Sequence, residues 1–498
     1  MSDKLARRDE EAILLSALTA DSPVQPLAGL AGWIDGQSDR LRLETRRTTF
    51  EALDQWHWLP GPARLAHRSG KFFELEGIRI ESEFGPRPAW EQPIIRQPEI
   101  GNLGVVARRF DGVLHFLLQA KVEPGNINGI QLSPTEQATR SNYLQVHSGQ
   151  APPFHACFQT PGKGRVLVDR LLGEHGHRFL RKRNRNVIVE VDGEMDGFDR
   201  EGFCWLTLGQ IKRLMRQDNL INMTTRSVFS CLPLSPWADR PLLKMPGEAT
   251  FEGALLASLY DQDGARHRTG ELLNWLASLR ARNHFRTYRR PLDRLEGWRC
   301  TDSEIVSEAG AHDFSVIAIS VTALGREVRS WSQPMIHHSG IATLGFLTSR
   351  IGGVLHFLVR ACLPPGGDTS FELGPTISAP AAAADDDSPD PFAAPFDDPP
   401  PDRVRHRSIQ SEEGGRLSHY CSRYTILEVP ADEAPPERNE ARWMTLAQLA
   451  AFNHFGMVNM EARNLLACLD FCPDTAEPPV ESSSDTAERA DAFAPLAG

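Results

Sequence analysis

The chain has 498 residues, 41% of them hydrophobic and 24% charged, which predicts a soluble globular protein of two to three domains. A net charge of −11 and a pI near 5.8 argue against non-specific nucleic-acid binding, and no stretch approaches the roughly 20 apolar residues that cross a bilayer. Eight cysteines without a CxxC pair, behind an acid-rich N-terminus with no signal-peptide pattern, point to reduced thiols and a cytoplasmic location.

Residues 1–25 read as a short helical arm with Ile13, Leu14 and Leu18 on one stripe. The chain then repeats itself. QPIIRQPEIGNLGVVARRFDGVLHF, from Gln92 to Phe116, returns without a gap as QPMIHHSGIATLGFLTSRIGGVLHF from Gln333 to Phe357, 241 positions later. Further on, WLTLGQIKRLMRQDNLINM (Trp205–Met223) is echoed by WMTLAQLAAFNHFGMVNM (Trp443–Met460). The repeat divides the chain into a first module over 26–241 and a second over 242–472. Polar residues found in only one half are the stronger functional candidates.

Within the first module, Gly112–Val122 and Val187–Val191 are short apolar or β-branched runs bounded by turn residues, as strands are. Thr207 is an expected N-cap for a helix burying Leu208, Ile211, Leu214 and Met215. The second module opens with a helix near 270–282 and repeats the pattern. Residues 378–403 hold seven aspartates among prolines and alanines, so a disordered loop is expected there. A disordered tail is expected over 473–498. Strands with a few packed helices per module predict an α+β fold in tandem.

Three stretches carry candidate chemistry. In the strand after Gly112, alternation puts His115, Leu117, Gln119, Lys121 and Glu123 on one face. The histidine persists as His356, so it reads as structural, whereas Lys121 and Glu123 become Cys362 and Pro364 and read as a functional pair or a solvated edge. The polar segment from Glu123 to Tyr143, EPGNINGIQLSPTEQATRSNY, cannot drive folding by burial and suits a loop lining a ligand, or a plain surface loop. In RFLRKRNRN, from Arg178, an extended chain would project Arg181, Arg183 and Arg185 together, a set that fits an anion such as a diphosphate if it is more than a solvated charged strand.

No GxGxxG after a strand, Walker loop, GxSxG elbow or HExxH occurs. His175 and His177 lack evident zinc partners, so no metal site is expected.

The segments GNINGIQLSPTEQATRSNY and FLRKRNRNVIVEV, together with the duplication, closely resemble the NDP-hexose 2,3-dehydratases of deoxysugar biosynthesis, from about residue 25 to 472. The resemblance implies a homodimer whose subunit carries two Nudix-hydrolase-like modules of mixed sheet with flanking helices, the first pocket active and the second vestigial. The Nudix signature itself is missing from both modules; Gly325-Arg326-Glu327-Val328 is only a fragment of it, so metal-dependent diphosphate hydrolysis lacks its ligands. The implied reaction is water loss across carbons 2 and 3 of dTDP-4-keto-6-deoxy-D-glucose without a cofactor, feeding a 3-ketoreductase that accepts the labile product. A nucleotide-sugar hydrolase and a non-catalytic nucleotide-sugar-binding scaffold are the alternatives.

Within that scheme Glu123 is the first candidate for the base and Tyr143 the second. Lys121 would stabilise the enolate or lower the pKa of a neighbouring acid. Arg181, Arg183 and Arg185 would hold the diphosphate, while Gln131, Thr135, Arg140 and Asn142 would contact sugar and nucleotide. Trp56, matched by Trp298, is either a thymine-stacking residue or core.

Overall fold

The computed structural model describes residues 2–61, 63–139, 152–159, 164–192, 201–232, 247, 249–260, 263–308, 312–324, 328–367, 371–380 and 390–472. Alternating apolar residues organise the first half into β1 (Leu43–Thr48), β2 (Trp56–Leu59), β3 (Arg64–His67), β4 (Glu74–Ser82), β5 (Ala89–Arg96), β6 (Gly101–Phe110), β7 (Val113–Val122), β8 (Ile130–Pro134), β9 (Glu136–Ala138), β10 (Arg165–Gly173), β11 (Phe179–Leu180), β12 (Arg183–Glu190) and β13 (Phe203–Thr207). The second half supplies β14 (Phe285–Arg290), β15 (Trp298–Cys300), β16 (Glu304–Ser307), β17 (Phe314–Ala323), β18 (Ser330–His338), β19 (Ile341–Ile351), β20 (Val354–Cys362), β21 (Glu372–Gly374), β22 (Ile377–Ala379), β23 (Val404–Ser411), β24 (Leu417–Ser418), β25 (Cys421–Glu428) and β26 (Ala441–Thr445). Each strand of the first half has its counterpart thirteen strands later.

Four sheets result, each mixing parallel and antiparallel pairs. One runs β11-β5-β4-β3-β2 and another β10-β12-β6-β7-β13; their counterparts run β24-β18-β17-β16-β15 and β23-β25-β19-β20-β21, with β26 on β20. The fold is therefore α+β and doubled. The halves also trade a strand. β1 pairs antiparallel with β17, from Leu43↔Ala323 to Thr48↔Ala318, and β14 pairs with β4, from Phe285↔Ser82 to Arg290↔Gly77. The boundary near residue 241 thus does not separate the sheets, because each half completes the other's.

Further contacts across this seam come in matched pairs. The Trp56 indole donates to the Ser332 carbonyl at 2.9 Å, and the Trp298 indole to the Glu91 carbonyl at 2.8 Å. Arg226 donates to the Ser411 carbonyl at 2.7 Å, and Arg463 to the Gly173 carbonyl at 2.6 Å; both side chains are fully buried. The main apolar core runs through both halves, from Ile13, Phe116 and Ile188 to Phe346, Phe357 and Ile426. Burying this surface supplies the dominant favourable term in folding, and here that term is shared between the halves.

The local helix signals are met. Thr207 caps the helix Leu208–Leu214, its hydroxyl accepting from the Gln210 amide while the Gln210 side chain accepts from the Thr207 amide. Thr445 and Gln448 repeat the arrangement in the second half. The N-terminal arm is helical over Ser2–Ala17, with Ile13 and Leu14 buried. No helix among the described residues is long and apolar enough to cross a membrane.

One expectation needs correcting. Residues 390–403, read as part of a disordered loop, include the short helix Ala394–Asp397, and Phe392 and Phe396 are buried in an apolar cluster with Leu347, Leu358 and Trp443. Aspartate and proline content masked two phenylalanines with a core to fill. The remainder of that loop, 381–389, and the tail 473–498 lie outside the described residues.

Candidate active site

In the first half, β6 and β7 pair from Phe110↔Val113 to Val106↔Leu117 and then diverge. The polar segment after Glu123 fills the fork: β8 continues along β7 (Leu118↔Pro134 to Val122↔Ile130) and β9 lies along β6 (Asn102↔Ala138, Gly104↔Glu136). Thr135 sits where they part. Its hydroxyl donates to the Leu117 carbonyl and accepts from the Val106 amide at 2.9 Å. Thr376 repeats both bonds with Leu358 and Leu347. The substrate contact expected of Thr135 gives way to a staple for the fork, kept in both halves because both have one.

Lys121, Glu123 and Gln137 form a polar triangle. Lys121 Nζ donates to Gln137 Oε1 at 2.8 Å and stands 3.0 Å from Glu123 Oε1, which accepts from Gln137 Nε2 at 3.2 Å. The Glu123 side chain is 9% exposed.

The residue before Gln137 on β9 belongs to a group that sequence reading missed. Glu136 is buried; it accepts from Asn102 Nδ2 at 2.5 Å, and His155 Nδ1 stands 2.9 Å from its Oε2. Burial raises the Glu136 pKa, with Asn102, His155 and the Arg185 charge pulling the other way. His155 opens the short helix His155–Phe158, whose Phe158 lies over Gly104, where a Cβ would meet the ring at 2.6 Å. In the second half Phe396 covers Gly345 in the same way, but the positions of Asn102, Glu136 and His155 are taken by Thr343, Ile377 and Ala393. Comparing the halves could have found Asn102 and Glu136. His155 follows a stretch with no counterpart in register, so nothing in the sequence pointed to it.

The second half also reaches in. Gln131 donates to Ser411 Oγ, and its own Oε1 is buried without a hydrogen-bond partner. Arg416 donates to Gln97 and pairs with Glu413 at 3.0 Å, and it feels the charges of Glu174 and Glu123. Lys182 is buried, donating to the Glu99 carbonyl; burial and the Arg416 charge lower its pKa to about 8. Glu174 accepts from Asn184 Nδ2 at 2.6 Å through one oxygen, while its other oxygen is buried and unpartnered.

The expected row of three arginines is not formed. Arg181 adopts a left-handed backbone (φ 50°) as the chain passes from β11 to β12 and leaves the strand alternation. Arg183 and Arg185 do share a strand face. Arg185, however, binds both oxygens of Asp169 at 2.9 and 2.8 Å and the Phe158 carbonyl at 2.8 Å, so its guanidinium fork already serves a carboxylate. Trp56 is buried among Phe50, Leu53 and Phe73, which is the core alternative rather than thymine stacking. His115 and His356 each bond a nearby carbonyl through Nδ1, while Nε2 meets Ser22 Oγ at 2.7 Å and the Arg266 amide at 3.0 Å respectively. Arg140, Asn142 and Tyr143 lie outside the described residues. Among the described residues no cluster of His, Cys, Asp and Glu is placed to hold a metal ion.

Comparison with known proteins fits this doubled layout. A profile of the NDP-hexose 2,3-dehydratase family matches residues 27–232 and 269–469. The chain is 43% identical over 462 residues, 91% of its length and 93% of the relative's, to a dTDP-4-dehydro-6-deoxy-alpha-D-glucopyranose 2,3-dehydratase of Saccharopolyspora spinosa. Relatives of the same description from Amycolatopsis orientalis and Streptomyces violaceoruber are each 40% identical, over 92% and 90% of this chain and 93% and 98% of their own.

Proposed function

The chain belongs to the NDP-hexose 2,3-dehydratase family, and from that premise we infer that it removes water across carbons 2 and 3 of dTDP-4-keto-6-deoxy-D-glucose, giving dTDP-3,4-diketo-2,6-dideoxy-D-glucose. It is a hydro-lyase of deoxysugar biosynthesis. The observation that carries the site assignment is the clustering, around the fork of β6 and β7, of polar residues that the second half lacks: Lys121, Glu123, Gln137, Asn102, Glu136 and His155.

The substrate's ketone acidifies the hydrogen on carbon 3. A base removes it, the electron pair moves onto the carbon-4 oxygen as an enolate, and collapse expels the carbon-2 hydroxyl, which leaves as water after taking a proton. The resulting 3-enol tautomerises to the diketone, so atoms balance with no redox partner. Glu123 is the proposed base, with Tyr143 as the alternative. Lys121, 3.0 Å from Glu123, pairs with that carboxylate and places a positive charge near the developing enolate. Glu136, whose buried carboxyl resists ionisation, is the proposed acid for the departing hydroxide, held by His155. Gln131, Arg140 and Asn142 remain candidate contacts for sugar and nucleotide.

This reading extends to a Nudix-like origin for each module, a homodimeric, cytoplasmic enzyme, and a 3-ketoreductase that consumes the unstable product. The fork, the strand exchange and the family's implied architecture support the first of these. The test is to incubate pure protein in EDTA with dTDP-4-keto-6-deoxy-D-glucose, a 3-ketoreductase and NADPH. A dTDP-sugar one oxygen lighter than the reduced substrate is expected. Unchanged sugar, in an assay that works with an established dehydratase, would remove this substrate.

A further inference from the structure

A shallow, partly open recess lies at the seam between the halves, lined by Thr45, Arg46 and Arg47 of β1, Ile317 and Ile319 of β17, His337 of β18, Ser418, His419, and Pro124. Pro124 directly follows Glu123, and its neighbour Gly125 is hydrogen-bonded to Gly414 and His419 across the seam. The recess therefore adjoins the proposed base, and its wall is shared between the halves.

Its charge follows from a difference between the halves. At the matching place on the first half's sheet, which β14 completes, Arg289 pairs with the buried Glu76 at 2.6 Å, and Arg96 pairs with Glu74 at 3.4 Å. Across the repeat, Glu76 and Glu74 become Ile317 and Ser315, while Arg289 and Arg96 become Arg47 and His337. The carboxylates are gone and a cation stays. Among the described residues Arg47 makes no ion pair; Glu304 is the carboxylate whose charge it feels. Burial first, and then the Arg47 charge, lower the pKa of both His337 and His419, His337 to about 4, so near neutral pH the imidazoles add N–H donors to the guanidinium. A guanidinium fork with adjacent neutral donors and a serine hydroxyl matches phosphoryl oxygens.

We propose that this seam recess binds the diphosphate of the nucleotide sugar, so that β1 and the second-half sheet it completes together hold the handle of the substrate whose sugar the first half dehydrates. The proposal rests on the dehydratase reading, and it answers the question left by the broken arginine row. It also gives the second half a task that needs no catalytic residues of its own.

The test uses the full-length protein and dTDP. Two variants remove the charge by different routes: Arg47→Met deletes it, and Ile317→Glu restores the carboxylate that the first half carries at Glu76. Each should weaken dTDP binding by calorimetry at least tenfold and raise KM for the sugar nucleotide comparably, with kcat within about threefold and unchanged melting temperature. Saturating dTDP should raise the His337 and His419 pKa values in the wild type, read by NMR, because a bound anion offsets the Arg47 charge. Variants that turn over substrate with wild-type KM and bind dTDP normally would overturn the recess and leave the dehydratase reading standing. Wild-type protein that binds dTDP through Arg47 yet makes no product would do the reverse.

Discussion

Gly125 and Gly414 meet backbone to backbone across the seam: the Gly125 amide donates to the Gly414 carbonyl at 2.7 Å, two residues beyond Glu123. A Cβ on Gly125 would collide with the Leu417 carbonyl, and one on Gly414 would stand 3.1 Å from the Glu123 Cβ. Gly366 and Gly176 repeat the contact at 2.6 Å at the matching place in the repeat. The proposed base is thus held in place by the half of the chain that does not contain it.

Gly125→Ala should therefore harm both fold and function. The collision is with backbone, which cannot rotate away, so a loss on the order of 1–3 kcal/mol is expected, with turnover falling further because Glu123 shifts. Chemical denaturation and steady-state assays on the same preparation check this. A fully active, fully stable variant would show that the seam can spread at no cost.

Glu123→Gln should cut turnover by at least ~100-fold while dTDP affinity stays within a few-fold, since the amide keeps the shape and loses the proton acceptor. Gln137 can still bond its oxygen. A near-normal rate would eliminate Glu123 and move the base to Tyr143.

For Glu136 the pH profile is the discriminating measurement. His155 pulls the Glu136 pKa down, so His155→Ala should let the carboxyl keep its proton to higher pH. If protonated Glu136 is the acid, the alkaline limb of kcat moves upward in that variant. Glu136→Gln should lose ~10²–10⁴-fold in kcat and abolish that limb. An unmoved limb in His155→Ala would reduce the pair to a structural role.

His175 makes stability depend on pH. It lies buried between Glu412 and Glu461, 3.1 Å from each. Burial opposes the imidazolium, but the two carboxylates outweigh it and raise the pKa from 6.5 to about 10. The folded-state value is the higher one, so this contribution is complete below about pH 6.5 and drains away as pH rises through about 10. Glu461, held down to about 2, gives its share above its ordinary 4.5 and loses it only as pH falls towards 2. Urea denaturation between pH 6 and 10 should show stability falling, and His175→Leu, which removes the ion-pair partner of buried Glu461 while Glu412 keeps the Tyr424 hydroxyl and Arg226, should cost about 3–5 kcal/mol and flatten the slope. A slope unchanged by the variant would mean that His175 is neutral.

By itself the sequence determined the doubling, the tandem α+β class, the β7 strand carrying Lys121 and Glu123, and the helix that starts at Thr207. These follow from short-range rules: side-chain alternation, a capping hydroxyl, and an ungapped repeat that aligns one half on the other. Tertiary structure alone decided which half each strand would join. β1 could pair with β4 or with β17, because the two are counterparts in the repeat and the ladder is made of backbone groups that carry no address. The same holds for the site. Glu136 and His155 meet only because the chain folds back over Gly104, and Arg185 turns to Asp169 because β10 lies beside β12. Arg181 drops out of its row through a single left-handed residue. Partners chosen by proximity in space leave no period in the sequence, so the chemistry of this chain was legible as residue types and became a site only when the two halves closed on each other.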